Sequence, residues 1–113
     1  MFDDVAGVTL ASALQGLSIR QQVTANDIAN IETPNFHAQR VSFEGSLAAA
    51  VQGGDPSAFS VTTSTTDDGA NANGNNVSLD QETVIATEDT LRSQLLSTAL
   101  TNEFSVISTA IKS

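Results

Sequence analysis

The sequence predicts an all-α chain of two long terminal helices, a helical hairpin or coiled-coil-like pair. They are joined by a polar, largely flexible loop with room for one short strand. Three observations support this. Apolar residues recur at helical spacing toward both ends, those two ends carry no proline up to Thr33 and from Ser78 onward, and the middle is dense in Ser, Thr, Asn and Gly. At 113 residues the chain has the size of one small domain. Its expected division is an N-terminal helix in 1–33, a linker and loop in 34–77 and a C-terminal helix in 78–113, all within one structural unit.

In the first helix, Leu10, Leu14, Leu17, Ile28 and Ile31 fall on one stripe, which Gln21 and Thr24 complete with polar groups. Val8, Ile19 and Val23 broaden that face. Asp3 or Asp4 can cap the start. Pro34 ends the helix, because the residue before a proline avoids helical geometry. Gly7 and Gly16 each cost roughly 1 kcal/mol relative to Ala, so the helix is expected to be marginal alone.

From about Gly45 to Asn76 the composition offers too little apolar area to offset the entropy of ordering. Phe59 and Val61 alternate with polar residues and could form a short strand. The last zone, from Ser78, has neither Gly nor Pro. Ser78 and Gln81 have capping-box spacing. One stripe there holds Val84, Leu91, Leu95 and Ala99, and a second holds Leu96, Leu100, Phe104, Ile107 and Ile111. The first stripe is expected to close the pair against the N-terminal helix and the second to meet neighbouring subunits. The expected helix–helix interface therefore draws on Leu10, Leu14, Leu17, Leu91, Leu95, Leu96, Leu100, Phe104, Ile107 and Ile111.

Composition removes several functions. Thirteen acids against four cations give a net charge of -9, which argues against nucleic acid because phosphate binding needs clustered Lys and Arg. No apolar run approaches the ~20 residues of a membrane span. Zero Cys removes disulfides and thiolate chemistry. The acidic start, Met-Phe-Asp-Asp, is unlike a basic cleavable signal.

The segment Asn26-Asp27-Ile28-Ala29-Asn30-Ile31-Glu32-Thr33-Pro34-Asn35-Phe36 reads locally as a helix exit. Asn30 can end a helix, Pro34 forces the exit and Asn35 tolerates a left-handed turn. Its order also resembles the N-terminal signature of the axial proteins of the bacterial flagellum, the rod and hook family. That signature runs Asn, any residue, Ile-Ala-Asn, two residues, Thr-Pro-Gly and an aromatic. Asn26, Ile28, Ala29, Asn30, Thr33, Pro34 and Phe36 match it, and Asn35 stands in for the glycine. A second block, Gly74-Asn75-Asn76-Val77-Ser78-Leu79, resembles the family's lead-in to its C-terminal helix. The short middle and the stretch from Leu91 to Ile111 look like the proximal-rod members.

The resemblance implies a structural subunit, not an enzyme, polymerising through its terminal helices into the proximal rod, the drive-shaft of the flagellum. It implies self-association in the rod and contact with other rod proteins, the rod-base adaptor and the membrane-ring protein. It also implies passage through the flagellar type III export apparatus without a cleaved signal, to the basal body in the periplasmic space of the cell envelope. No cofactor, metal or catalytic residue is expected. His37 is a lone histidine, and no nucleophile sits in a Gly-x-Ser-x-Gly elbow. Asn71, Asn73, Asn75 and Glu82 have calcium-loop spacing, but Asn76 stands where that loop needs glycine. The alternative function is a free-standing acidic helical-hairpin module that binds a soluble protein.

Overall fold

In the computed structural model residues 5–112 are described, excluding the side chains of Phe104, Val106, Ile107 and residues 110–112. The element order is α1 (Val5–Ala29), β1 (Gln39–Ser42), α2 (Glu44–Gln52), a 3-10 turn (Pro56–Ala58), β2 (Thr62–Thr65) and α3 (Leu79–Lys112). Asp3 and Asp4, the expected caps, lie outside the described residues. So do the side chains of Phe104, Ile107 and Ile111.

The two long terminal helices are present and pack along each other. They run in opposite senses. Arg20 on α1 meets Asp89 on α3 at 3.5 Å. About two turns further along α1, Asp27 lies beside the Arg40 guanidinium that also holds Glu82, about two turns earlier on α3. The helix start of α3 follows the expected capping geometry, with Gln81 N–H donating to Ser78 Oγ at 3.3 Å.

The segment between them departs from the expected loop. Glu44–Gln52 forms α2, because Ala48, Ala49 and Ala50 are the best helix formers and Leu47 gives that helix an anchor, 8% exposed. Gly53 and Gly54 end it, Gly54 at φ +86°. β1 and β2 pair antiparallel from Gln39 opposite Thr65 to Ser42 opposite Thr62. The strand therefore begins just after Phe59 and Val61, where β-branched threonines favour extended backbone. Phe59 and Val61 instead pack half-buried against the core.

That core is small: Leu17, Val41, Phe43 and Leu47, with Leu96 of α3 against it. The molecule measures 65 × 26 × 14 Å with a radius of gyration of 17.5 Å, against about 13 Å for a globular chain of similar length. Its thinnest dimension is close to one helix diameter. Almost every residue therefore lies near a surface.

The expected stripe assignment on α3 is reversed. Leu96 packs on the core, whereas Leu91 and Leu95 are 61% and 70% exposed. Glu82, Asp89 and Leu96 follow one another at heptad spacing on the side facing α1, and the first two are 0% and 1% exposed. The inward face of α3 is thus partly built from carboxylates, which a count of apolar residues overlooks.

Gly16 also has a role beyond its helix penalty. A Cβ at this position would lie 2.5–2.6 Å from the Phe43 ring carbons. The missing side chain is the slot in which Phe43 sits, with the Phe59 ring edge-on at 6.4 Å and the Arg20 guanidinium 5.0 Å from the Phe43 centroid. On α1 propensity alone, Gly16→Ala would stabilise by roughly 1 kcal/mol. Overpacking reverses the sign, and a net loss of about 1–3 kcal/mol is expected in chemical unfolding.

Candidate functional site

The two sequence blocks singled out above, far apart in the chain, are bound to each other. The exit of α1 carries Asn30 and Thr33, whose backbone carbonyls each accept one main-chain N–H within the turn, from Thr33 and Phe36, and can take a second donor. The Asn75 Nδ2 donates to both, at 2.8 Å each. On its other side Asn75 Oδ1 accepts the Val77 N–H at 2.8 Å. Two carbonyls on one side and an N–H on the other fix which end of the amide is which. Asn75 is 0% exposed, so each of its bonds is made away from water.

Asn76 grips the chain just beyond. Its Oδ1 accepts the Ala38 N–H at 2.6 Å, and its Nδ2 donates to Thr66 O and Oγ1 and to Asp68 O. Main-chain bonds reinforce the seam: Asn76 N–H donates to Phe36 O, and Asn35 N–H to Asn73 O. Asn35 sits at φ 63°, the left-handed geometry expected where the family signature has glycine. Within the motif, Asn30 Nδ2 donates to Asn26 O at 2.8 Å, and Thr33 Oγ1 donates to Asn30 Oδ1 at 3.0 Å. Ile28 is half-buried, whereas Ala29 and Pro34 are exposed at the turn.

Behind this clasp lies a buried ionic cluster. Gln39 N–H donates to both Asp27 carboxylate oxygens at 3.2 Å. Arg40 Nη1 reaches Glu82 at 2.7 Å and Asp27 at 3.6 Å, and Asp27 and Glu82 are both 0% exposed. Burial, with the Glu82 charge adding to it, pushes the Asp27 carboxyl up to about 6. Further along, Arg20 holds Glu44 through two bonds of 2.6 and 2.7 Å, and those bonds keep the Glu44 carboxyl down at about 2. Asp89 is raised, chiefly by burial.

His37 is exposed, and its ring meets the Asn76 amide at 3.4 Å. Among the described residues no group of three or more His, Cys, Asp or Glu is placed to hold a metal. The calcium-loop spacing has a different use: Asn75 holds the exit of α1 and Glu82 is bound to Arg40. Among the described residues no helix is long and apolar enough to cross a membrane.

The geometry is that of a structural joint, and comparison with known proteins agrees. A profile described as "Flagella basal body rod protein" matches residues 9–37, which run from α1 through the motif. The chain is 31% identical over 116 residues to the flagellar basal body rod protein FlgB of Bacillus subtilis (strain 168), covering 90% of this chain and 89% of that protein. This chain belongs to the FlgB family of flagellar basal body rod proteins. Shorter matches link it to FlgB of Borrelia hermsii, 50% identical over 38 residues, which is 34% of this chain and 28% of that protein. FlgB of Borreliella burgdorferi is 51% identical over 37 residues, 33% of this chain and 27% of that protein. The FlgB relatives are structural proteins of the flagellum, not enzymes.

In this FlgB-family chain the sequence reading found the motif residues but not their connection. Asn75 and Asn76 were read as a lead-in, though their amides are what hold the N-terminal motif. Asp27 was passed over as an unmatched residue within the motif. The available signal was its position: a carboxylate one helical turn from Thr24, on the polar part of the predicted inward stripe.

Two outcomes follow for the joint. Asn75→Ala removes two donors and an acceptor from a buried site, and should cost at least about 2 kcal/mol in urea unfolding. Asn75→Asp keeps the shape but turns an anion toward two carbonyls, and should cost no less.

The second outcome concerns pH. The folded state retains a proton on Asp27 that the unfolded chain, at 3.8, would release. Stability from Asp27 is therefore full below about 4 and lost as pH rises through about 6. Glu44 acts oppositely, stabilising above 4.5 and losing that effect as pH falls toward about 2. The urea midpoint should be higher at about pH 5 than at about pH 7. Asp27→Asn, which mimics the protonated form, should flatten that difference.

Proposed function

We propose that this protein is a structural subunit of the proximal rod, assembling side by side with its neighbours through α1 and α3. The observation that carries this reading is the mismatch between its apolar surface and its thickness. A molecule 14 Å thick leaves Val84, Leu91 and Leu95 of α3 more than half exposed. On another part of the surface, α1, α2 and α3 border an open apolar groove of about 740 Å³, lined by Leu17, Phe43, Leu47, Val51 and Leu96. Two unlike apolar surfaces favour head-to-tail contacts, which build open helical assemblies instead of closed pairs. Covering them is the means by which a thin chain gains the burial it lacks alone.

On this reading the α1–α3 pair works as a helical hairpin whose packing against other helices is coiled-coil-like. Leu10 and Leu14, half-buried on α1, and Leu91, Leu95 and Leu100 on α3 contribute to the subunit interfaces. The motif residues Asn26, Ile28, Ala29, Asn30, Thr33, Pro34 and Phe36, with Asn75, Asn76 and Val77, set the joint that presents the helices. The neighbours are other copies, other rod proteins, the rod-base adaptor and the membrane ring in the periplasmic space. The subunit reaches them through the type III export apparatus. A small core, no disulfides and a fold stitched by amides suit a chain that must pass through a channel unfolded.

The test is genetic and structural together. Deleting the gene should abolish motility, and the tagged protein should restore motility and co-purify with isolated basal bodies. A restored strain whose basal bodies lack the tagged protein would contradict a rod role. In that strain, Leu95→Ala should leave the melting of the isolated protein within about 0.5 kcal/mol of the parent and reduce swimming on soft agar. A soluble monomer retained in the cytoplasm, with normal motility in the deletion strain, would favour the acidic binding module.

A further inference from the structure

The joint contains a chemically labile pair. Asn73-Gly74 is the one Asn-Gly step in the sequence, and it stands directly before the two amides that hold the helices. Asparagine before glycine is prone to attack from its own backbone. Glycine has no Cβ to shield its main-chain nitrogen, so in a flexible chain that nitrogen reaches the preceding side-chain carbonyl. Asn73 is exposed and Gly74 half-buried, so water reaches the pair.

The fold restrains both reactants. Gly74 N–H donates to Asn71 O at 2.9 Å, which retains the proton that the attack must release. Asn73 Oδ1 accepts the Asn75 N–H at 3.1 Å, which pins the amide under attack. Asn73 O accepts the Asn35 N–H at 3.0 Å, and Asn71 N–H donates to Asn75 O at 2.8 Å, which closes residues 71–75 into a ring. The pair is also built into the joint. Gly74 sits at φ +83°, and a Cβ there would collide with Asn35 Oδ1. Asn73 supplies acceptors to both Asn35 and Asn75. The geometry of the joint therefore calls for a labile step at the place where the helices are tied.

We propose that Asn73 is a deamidation site that the closed joint protects and the open chain exposes. The Gly74 nitrogen bonds to Asn73 Cγ, the Cγ–Nδ2 bond breaks, and the Gly74 proton leaves through solvent with the departing ammonia. Water then opens the cyclic imide. Addition at Cγ gives an ordinary aspartate at this position. Addition at the main-chain carbon gives isoaspartate, whose chain runs on through Cγ and is one carbon longer. That carbon enters the ring of residues 71–75, and the oxygen that Asn35 N–H used becomes part of a free carboxylate. Asn75, two residues on, then loses its register with the Asn30 and Thr33 carbonyls. A chain left open too long forfeits the ability to close. The reaction is a property of the joint and does not rest on the rod reading.

The experiment incubates the purified full chain in mildly alkaline buffer, with and without denaturing guanidinium chloride. Conversion at Asn73 is followed by peptide mass spectrometry and isoaspartyl methyltransferase labelling. The unfolded chain should convert at least about tenfold faster than the folded one, with isoaspartate as the main product. Asn73→Gln, which must close a larger ring, should remove the fast conversion at this position. Protein aged while unfolded and returned to buffer should have a lower urea midpoint than the parent. Asn73→Asp, which carries the charge without the extra carbon, should unfold closer to the parent than the aged protein does. Equal conversion rates with and without denaturant overturn the proposal. So does aged, isoaspartate-bearing protein that unfolds like the parent or like Asn73→Asp.

Discussion

The rest of the structure depends on two buried amides, those of Asn75 and Asn76. A helix that ends in a turn leaves its last carbonyls short of donors, and a helix that begins after a polar loop has no fixed starting point. Asn75 answers both needs at once by holding the Asn30 and Thr33 carbonyls with one end and the Val77 N–H with the other. Its register fixes where α3 starts against the end of α1. From there the ion pairs Asp27–Arg40–Glu82 and Arg20–Asp89 follow, and then the contact of Leu96 with the Leu17 core. Asn76 extends the grip to Ala38 and so positions β1, from which Phe43 reaches the slot above Gly16.

This order explains why a chain with few aromatics can be specific about its shape. Among the described residues the apolar cluster of Leu17, Val41, Phe43 and Leu47 is too small to define the arrangement of three helices by packing alone. Directional bonds provide the definition instead. Buried polar networks of this kind are costly if any member is removed, and they tolerate few alternatives.

The long helices and the motif were legible in the sequence because both are local patterns: periodicity in α1 and α3, and residue order from Asn26 to Phe36. The capping of α3 by Ser78 was legible for the same reason. What escaped was non-local. The Thr- and Asn-rich stretch lacks apolar area and reads as unordered, but Thr66 and Asn73 serve as acceptors for Asn76 and Asn35, and Thr62–Thr65 pairs with β1. The inward face of α3 was assigned to the wrong stripe because Glu82 and Asp89 look like surface residues until Arg40 and Arg20 are placed opposite them. Gly16 looked like a weakness for want of knowing where Phe43 goes. The misses on α3 and at Gly16 each involve a partner more than 20 positions away, which no window along the chain contains.

The most direct measurement of this account is amide hydrogen exchange on the isolated protein, read at Ala38, Gln39 and Val77. These N–H groups lie outside the long helices, and their acceptors are the side chains of Asn76, Asp27 and Asn75. If the amide joint organises the fold, they exchange as slowly as amides in the middle of α1, and in Asn75→Ala all three accelerate together with the amides of α3 near Glu82. Exchange at the rate of an exposed loop in the parent protein, with α1 and α3 still protected, would contradict the claim that the joint holds the helices in place.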